Sequence, residues 1–146
     1  MAVFSATGKV VSPTRLEVSA RQFTLTIDEP PNLGGEDAGA NPVEFVLAAL
    51  MGCLNVVIHT VAKEKGVEVR SLALSAEGDL DPAGFMGMDD SVRAGYQEIR
   101  LEVIIDADAD EATVREIVEI SKKRCPVSDN LANVTPVSID TVISGS

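Results

Sequence analysis

NPVEFVLAALMGCLNVVIHTVAKEK, residues 41–65, is the stretch whose reading decides the fold. Asn41 reads as an N-cap. Pro42 takes the first helical position, where a missing N–H removes no bond, and Glu44 three residues past the cap completes an Asn-x-x-Glu capping box. Gly66, with Lys63 and Lys65 in the last turn, marks the other end. From Phe45 to Leu54 every residue is apolar or small, so the helix lacks a polar face there and is expected to be surrounded by protein. Glu44, Asn55, His59 and Thr60 interrupt the run before the roughly 20 apolar residues of a membrane span, so no membrane partner is expected.

Working outward, residues 3–11 read as a strand ending at Ser12-Pro13. Leu16, Val18, Ala20 and then Phe23, Leu25, Ile27 alternate as two more, giving an antiparallel meander. Residues 28–40, DEPPNLGGEDAGA, have no hydrophobic period and form a connector. Their Gly34-Gly35 pair lacks any phosphate-loop spacing. Beyond the helix, residues 67–76 are strand-like, and residues 78–95 form a loop of functional length. Its Phe85, Met86 and Met88 either line an adaptable apolar binding surface or pin the loop to the core. Residues 96–106 alternate strongly as a strand. A second helix begins near Asp108 or Asp110 and ends at Arg124, with Val114, Ile117, Val118, Ser121 and Cys125 on one face. Pro126 stops it and opens a short helix over 126–132 with Cys125 as N-cap, before a last strand over 134–143. The sum is one α+β domain over residues 1–146.

At 146 residues the chain fits a single globular domain. Its formal net charge of -11 repels polyanions, so no nucleic acid partner is expected. The start, MAVFSATGKV, has neither a basic n-region nor an apolar h-region, which points to the cytoplasm. In that reducing compartment two cysteines are free, redox-active or buried and inert rather than a structural staple. Local chemistry ranks Cys125 as the more reactive thiol: it caps a helix N-terminus and follows Lys122, Lys123 and Arg124. Cys53, mid-helix among apolar neighbours, needs an imported partner such as an arginine. Cys53, His59 and Cys125 supply only three candidate ligands without metal-site spacing, so no metal is expected. His59 lies about 600° round the helix from Cys53 and reads as a hydrogen-bonded core or interface histidine.

Asn41-Pro42-Val43-Glu44, Cys53 in an Ala/Leu-rich helix, and Arg124-Cys125-Pro126-Val127-Ser128 before a closing strand together resemble the osmotically inducible protein C and organic hydroperoxide resistance (OsmC/Ohr) family, in an OsmC-like branch. The likeness covers nearly the whole chain. It implies antiparallel sheets wrapped around two central helices in an intertwined homodimer. It further implies a thiol peroxidase acting on small hydrophobic peroxides without a cofactor, recycled by a thiol reductant such as a lipoyl-type dithiol. By position, Cys53 matches the peroxidatic cysteine and Cys125 the resolving one, which reverses the local ranking. The implied cycle runs through a Cys53 sulfenic acid and a Cys53–Cys125 disulfide.

An arginine and a glutamate complete the site in the family's peroxidases. The arginine is expected from the meander, with Arg15 the first candidate and Arg21 the second. The family glutamate falls ten residues before the cysteine, and that place is Val43 here. Glu44, about 900° round the helix from Cys53, reads equally as a catalytic residue or a cap. Phe85, Met86 and Met88 are the substrate-binding candidates. Two other functions fit the same residues: a non-catalytic dimeric module holding a small apolar ligand, and a general thiol-disulfide exchange protein.

Overall fold

The computed structural model describes residues 1–145, in two compact units. The first comprises Met1–Ala49 and Ala76–Leu101, the second Leu50–Ser75 and Glu102–Ser146. Strands β1 (Thr7–Val10), β2 (Leu16–Ala20) and β3 (Phe23–Ile27) form the antiparallel meander expected of the alternating runs. The register pairs Gly8 with Val18, Val18 with Leu25 and Glu17 with Thr26. Between β1 and β2 the Ser12 hydroxyl accepts the Arg15 N–H at 2.9 Å, and the Arg15 carbonyl receives the N–H groups of Val11 and Ser12. The β2–β3 turn puts Arg21 at φ 53°, the left-handed geometry of a tight hairpin.

The connector after β3 is organised by one carboxylate. Asp28 is 0% exposed, and it accepts the backbone N–H groups of Glu29, Glu36 and Ala38 at 2.8, 3.2 and 3.2 Å. Burial alone pushes its pKa up. A Thr14 hydrogen bond and those three amides outweigh burial and hold it below the ordinary aspartate value.

Helix α1 (Pro42–Glu64) starts with the anticipated capping box: Asn41 N–H donates to Glu44 Oε1, and Glu44 N–H to Asn41 Oδ1, each at 2.9 Å. It ends in a Schellman turn. Gly66, at φ 68°, donates to Lys63, and Val67 donates to Ala62. The Tyr96 hydroxyl donates to the Val43 carbonyl at 2.7 Å, a second tie on the first turn.

Strands β4 (Val69–Leu80) and β5 (Tyr96–Ala107) form a two-stranded sheet. Arg70 pairs with Asp106 and Arg100 with Glu77 and Asp79, an order that makes the pairing antiparallel. Strand β4 runs further than the sequence suggests, because Gly78 continues it. A Cβ there would lie 2.5 Å from the Tyr96 ring, so the glycine is needed for the ring to lie flat across the strand. The irregular segment therefore shrinks to residues 81–95 and contains the one-turn helix α2 (Pro82–Phe85).

In the second unit, α3 (Glu111–Arg124) is capped by Asp110, and α4 (Pro126–Ala132) by Cys125. Every buried apolar residue among those described falls in this unit: Leu50, Leu54, Ile58, Val61 and Ala62 of α1 with Ala107, Ile117 and Cys125. Lys65–Glu116 and Arg124–Glu64 clasp α1 to α3.

Three expectations are corrected. Residues 134–145 form no strand: Val137, Ile139 and Ile143 are 81–88% exposed, and a period-2 segment without a neighbouring strand has nothing to pair with. Helix α1 is covered on one stripe only, with Ala48, Ala49, Gly52 and Val56 exposed. Its polar residues also do not interrupt it enough, since by length and composition α1 is apolar enough to cross a bilayer.

The depressed pKa of Asp28 makes its stabilisation present above the ordinary carboxylate range and lost as pH falls through the lower folded value. Asp28→Asn should lower Tm at pH 7 and flatten the decline of Tm between about pH 5 and pH 2, as followed by circular dichroism.

Candidate active site

Cys53 lies in the middle of α1 and is partly exposed, whereas Cys125 at the α3–α4 joint is 0% exposed. Both are free thiols, and Cys53 lies near enough to Cys125 to raise the pKa of its thiol. The joint is built locally: α3 ends at Arg124, Pro126 begins α4, and Cys125 between them has extended backbone at φ −74°, ψ 112°. Its sulfur accepts the Ser128 N–H at 3.4 Å, as a capping group does.

Burial pushes the Cys125 thiol above its ordinary pKa, and the Cys53 sulfur beside it pushes further. The Ser128 and Val127 amides offset only part of this. Burial and the neighbouring sulfur thus favour the protonated form of Cys125. This corrects its ranking as the more reactive thiol. Of the cations thought to activate it, Arg124 donates to both carboxylate oxygens of Glu64, at 2.7 and 3.0 Å. A guanidinium spent on a bidentate carboxylate has little left for a thiolate.

The remaining candidates belong to the first unit. Arg15 Nε and Nη2 reach Glu17 Oε1 at 3.0 and 2.9 Å. Among the described residues no ion pair joins Arg15 to Glu44, whose carboxylate closes the capping box. The Arg–Glu pair implied for these two residues is therefore not formed, because a carboxylate in the first turn of α1 satisfies the nearest orphan N–H. The Arg21 guanidinium stacks 5.0 Å from the centre of the Phe23 ring. Phe85, Met86 and Met88 are exposed rather than pinned to a core. Their loop is held by its own bonds, with the N–H groups of Met88 and Asp89 both on the Ala83 carbonyl.

His59 is exposed on α1, its Nδ1 2.8 Å from the Asn55 carbonyl, so it is not the core histidine of one alternative. Among the described residues no group of three or more His, Cys, Asp or Glu side chains is arranged to hold a metal ion. Sequence reasoning missed Glu17, Thr26 and Tyr96. Only the alternation of β2 and β3 hinted that Glu17 and Thr26 share a face.

The sequence model of the OsmC-like protein family matches residues 34–140. The chain belongs to the OsmC-like family. A hydroperoxide reductase of Mycoplasma pneumoniae is 24% identical over 123 residues, 84% of this chain and 82% of the relative. Among solved structures, the OsmC-like protein from Mycoplasma pneumoniae superposes with a TM-score of 0.78 at 22% identity, covering 91% of this chain and 89% of that one. The organic hydroperoxide resistance protein OhrB of Bacillus subtilis gives 0.61 at 19% identity, with 91% and 93% covered. The fold of this OsmC-like chain is thus α+β with antiparallel sheets, as the motifs led one to expect.

Limiting iodoacetamide should modify Cys53 before Cys125 in the native protein, with Cys125 labelled only on unfolding; peptide mapping by mass spectrometry reads the order.

Proposed function

We propose that the protein is a cysteine-based peroxidase that reduces organic hydroperoxides. The proximity of Cys53 to Cys125, near enough to raise the Cys125 pKa, is the observation that supports this most directly, since a two-cysteine cycle needs a nucleophile with a resolving thiol near it. The similarity to a relative named as a hydroperoxide reductase supports the substrate class.

In this reading the Cys53 thiolate attacks the O–O bond of the hydroperoxide. An S–O bond forms, the O–O bond breaks, and the alkoxide takes up a proton and leaves as the alcohol. Cys125 sulfur then attacks the sulfenic sulfur, forming the disulfide while water departs with the Cys125 proton. An external dithiol, such as a lipoyl group, returns two electrons and two protons by thiol–disulfide exchange. Arg15 is the cation that favours the Cys53 thiolate. Glu44 contributes by fixing the first turn of α1, and Phe85, Met86 and Met88 receive the alkyl part of the substrate.

The assembled form in this proposal is an intertwined homodimer. The uncovered face of α1 and the exposed apolar side chains of residues 134–145 support it, because both leave hydrophobic surface that a second copy would bury. A second reading, a carrier of a small apolar ligand, is favoured by the exposed Phe85, Met86 and Met88 together with Val43 where the peroxidases have glutamate.

One equivalent of an organic hydroperoxide should remove two hydrogens from the reduced wild type, add one oxygen to Cys125→Ser and leave Cys53→Ser unchanged, by intact mass. Thiols that stay reduced in the wild type would overturn the peroxidase reading in favour of the carrier. Deleting residues 134–146 should convert a dimer to a monomer in sedimentation velocity; an unchanged coefficient per protomer would remove the intertwined assembly.

A further inference from the structure

Within the second unit, β5 ends at Ala107, and residues 108–110 turn the chain into α3. Val103 and Ile105 of the strand and Val114 and Val118 of the helix, the last two one turn apart, line a common groove of about 610 Å³. All four are half-buried. Ala107 and Ala109 line the corner with no more than a Cβ each, which leaves the wedge between strand and helix unfilled. A volume of this size lies within the roughly 300–1,000 Å³ of small-molecule sites. Neither Cys53 nor Cys125 lines it, so the groove is separate from the thiols. Its charged residues are Asp106, Glu111, Arg115 and Glu119. Arg70 donates to both carboxylate oxygens of Asp106, at 3.2 and 2.7 Å. Arg115 Nε and Nη2 both donate to Glu111 Oε1, at 3.0 and 2.7 Å. Glu119 is exposed and enters no ion pair among the described residues.

We propose that the groove between β5 and α3 binds a small amphiphilic amine, its apolar body laid over Val103, Ile105, Val114 and Val118 and its ammonium on the Glu119 carboxylate. The site stands whether or not the two thiols reduce peroxides. Charge complementarity selects the occupant. Three carboxylates and one guanidinium surround an apolar floor, and the one lining charge without an ion partner is negative. A fatty acid or other anionic amphiphile meets repulsion there, whereas an ammonium gives Glu119 a charge-assisted hydrogen bond. The apolar body removes from water the surface that the four half-buried side chains leave in it.

Decylammonium titrated into the 146-residue chain tests this, in about 0.15 M salt to screen the general pull of a net charge of -11 on any cation. Methyl-resolved NMR should show one saturating site per protomer, with shifts at Val103, Ile105, Val114 and Val118. Decanoate, of the same chain length, should bind about tenfold more weakly or worse. Glu119→Gln should weaken decylammonium about threefold, and Glu119→Lys should reverse the preference toward decanoate. Arg115→Gln releases Glu111 and should tighten the amine, so the two rim substitutions move affinity in opposite directions. Glu36→Gln removes an exposed carboxylate of the first unit and should change nothing. Val118→Phe should fill the groove and abolish binding; the exposed Glu119 and Arg115 variants carry the test if it does not fold. Shifts scattered over the surface, an equal loss in Glu36→Gln and Glu119→Gln, or a Glu119→Lys chain that still prefers the amine overturns the proposal. So does the absence of saturation, the result expected if a second copy occupies the groove.

Discussion

A helix of 23 residues with apolar or small side chains round most of its circumference sets the terms for everything attached to it. Water is excluded from such a helix only if other elements lie against it, and the chain supplies one buried stripe, Leu50, Leu54, Ile58 and Val61. Burial of four such side chains stabilises by several kcal/mol at roughly 1.5–3 kcal/mol each, an upper estimate since unfolded chains are partly compact. The ends of α1 are fixed by polar means instead. Asn41 and Glu44 satisfy each other's backbone at the start, and a left-handed glycine closes the finish. Cys53 is thereby carried on a rod whose position is set independently of its own chemistry.

Polar groups elsewhere are spent on order rather than left free. Asp28 gathers three amides of an otherwise aperiodic connector, Glu64 takes the guanidinium of Arg124, and Glu44 takes an orphan N–H. Each engagement removes a group from the catalytic inventory that composition alone would suggest. Arg15 is different, since its carboxylate partner occupies one edge and leaves the other. Burial and the nearby Cys53 sulfur raise the pKa of the Cys125 thiol, against the local sequence chemistry that ranked it as the more reactive of the two.

Features governed by adjacent residues were legible in the sequence. Asn41, Gly66, Asp110 and Pro126 each act within one helical turn, and all four mark real boundaries. The motifs around Cys53 and Cys125 carried the family and hence the fold. What could not be read depends on register. Glu17 meets Thr26 only because a two-residue turn centred on Arg21 brings Ala20 opposite Phe23, and an arginine at positive φ gives no turn signal. Gly78 looked like the start of a loop because glycine usually interrupts strands, whereas the Tyr96 ring requires it within one. The alternation over residues 134–143 was real as a pattern, but a strand is a relation between two segments, and a pattern names only one of them.

The backbone at the two thiols differs in kind. Cys53 is flanked on both sides by continuous i to i−4 bonding, so moving its Cα means moving the whole rod. Cys125 stands between two helices, and the residue after it, Pro126, has no N–H with which to tie the joint to the turn before. A disulfide demands Cα atoms about 4.4–6.8 Å apart and a narrow torsion at sulfur. Any adjustment toward that geometry falls on the joint, a few soft dihedrals ahead of a seven-residue helix. The two thiols thus sit on backbone of different stiffness, a continuous rod at Cys53 and a joint of a few soft dihedrals at Cys125.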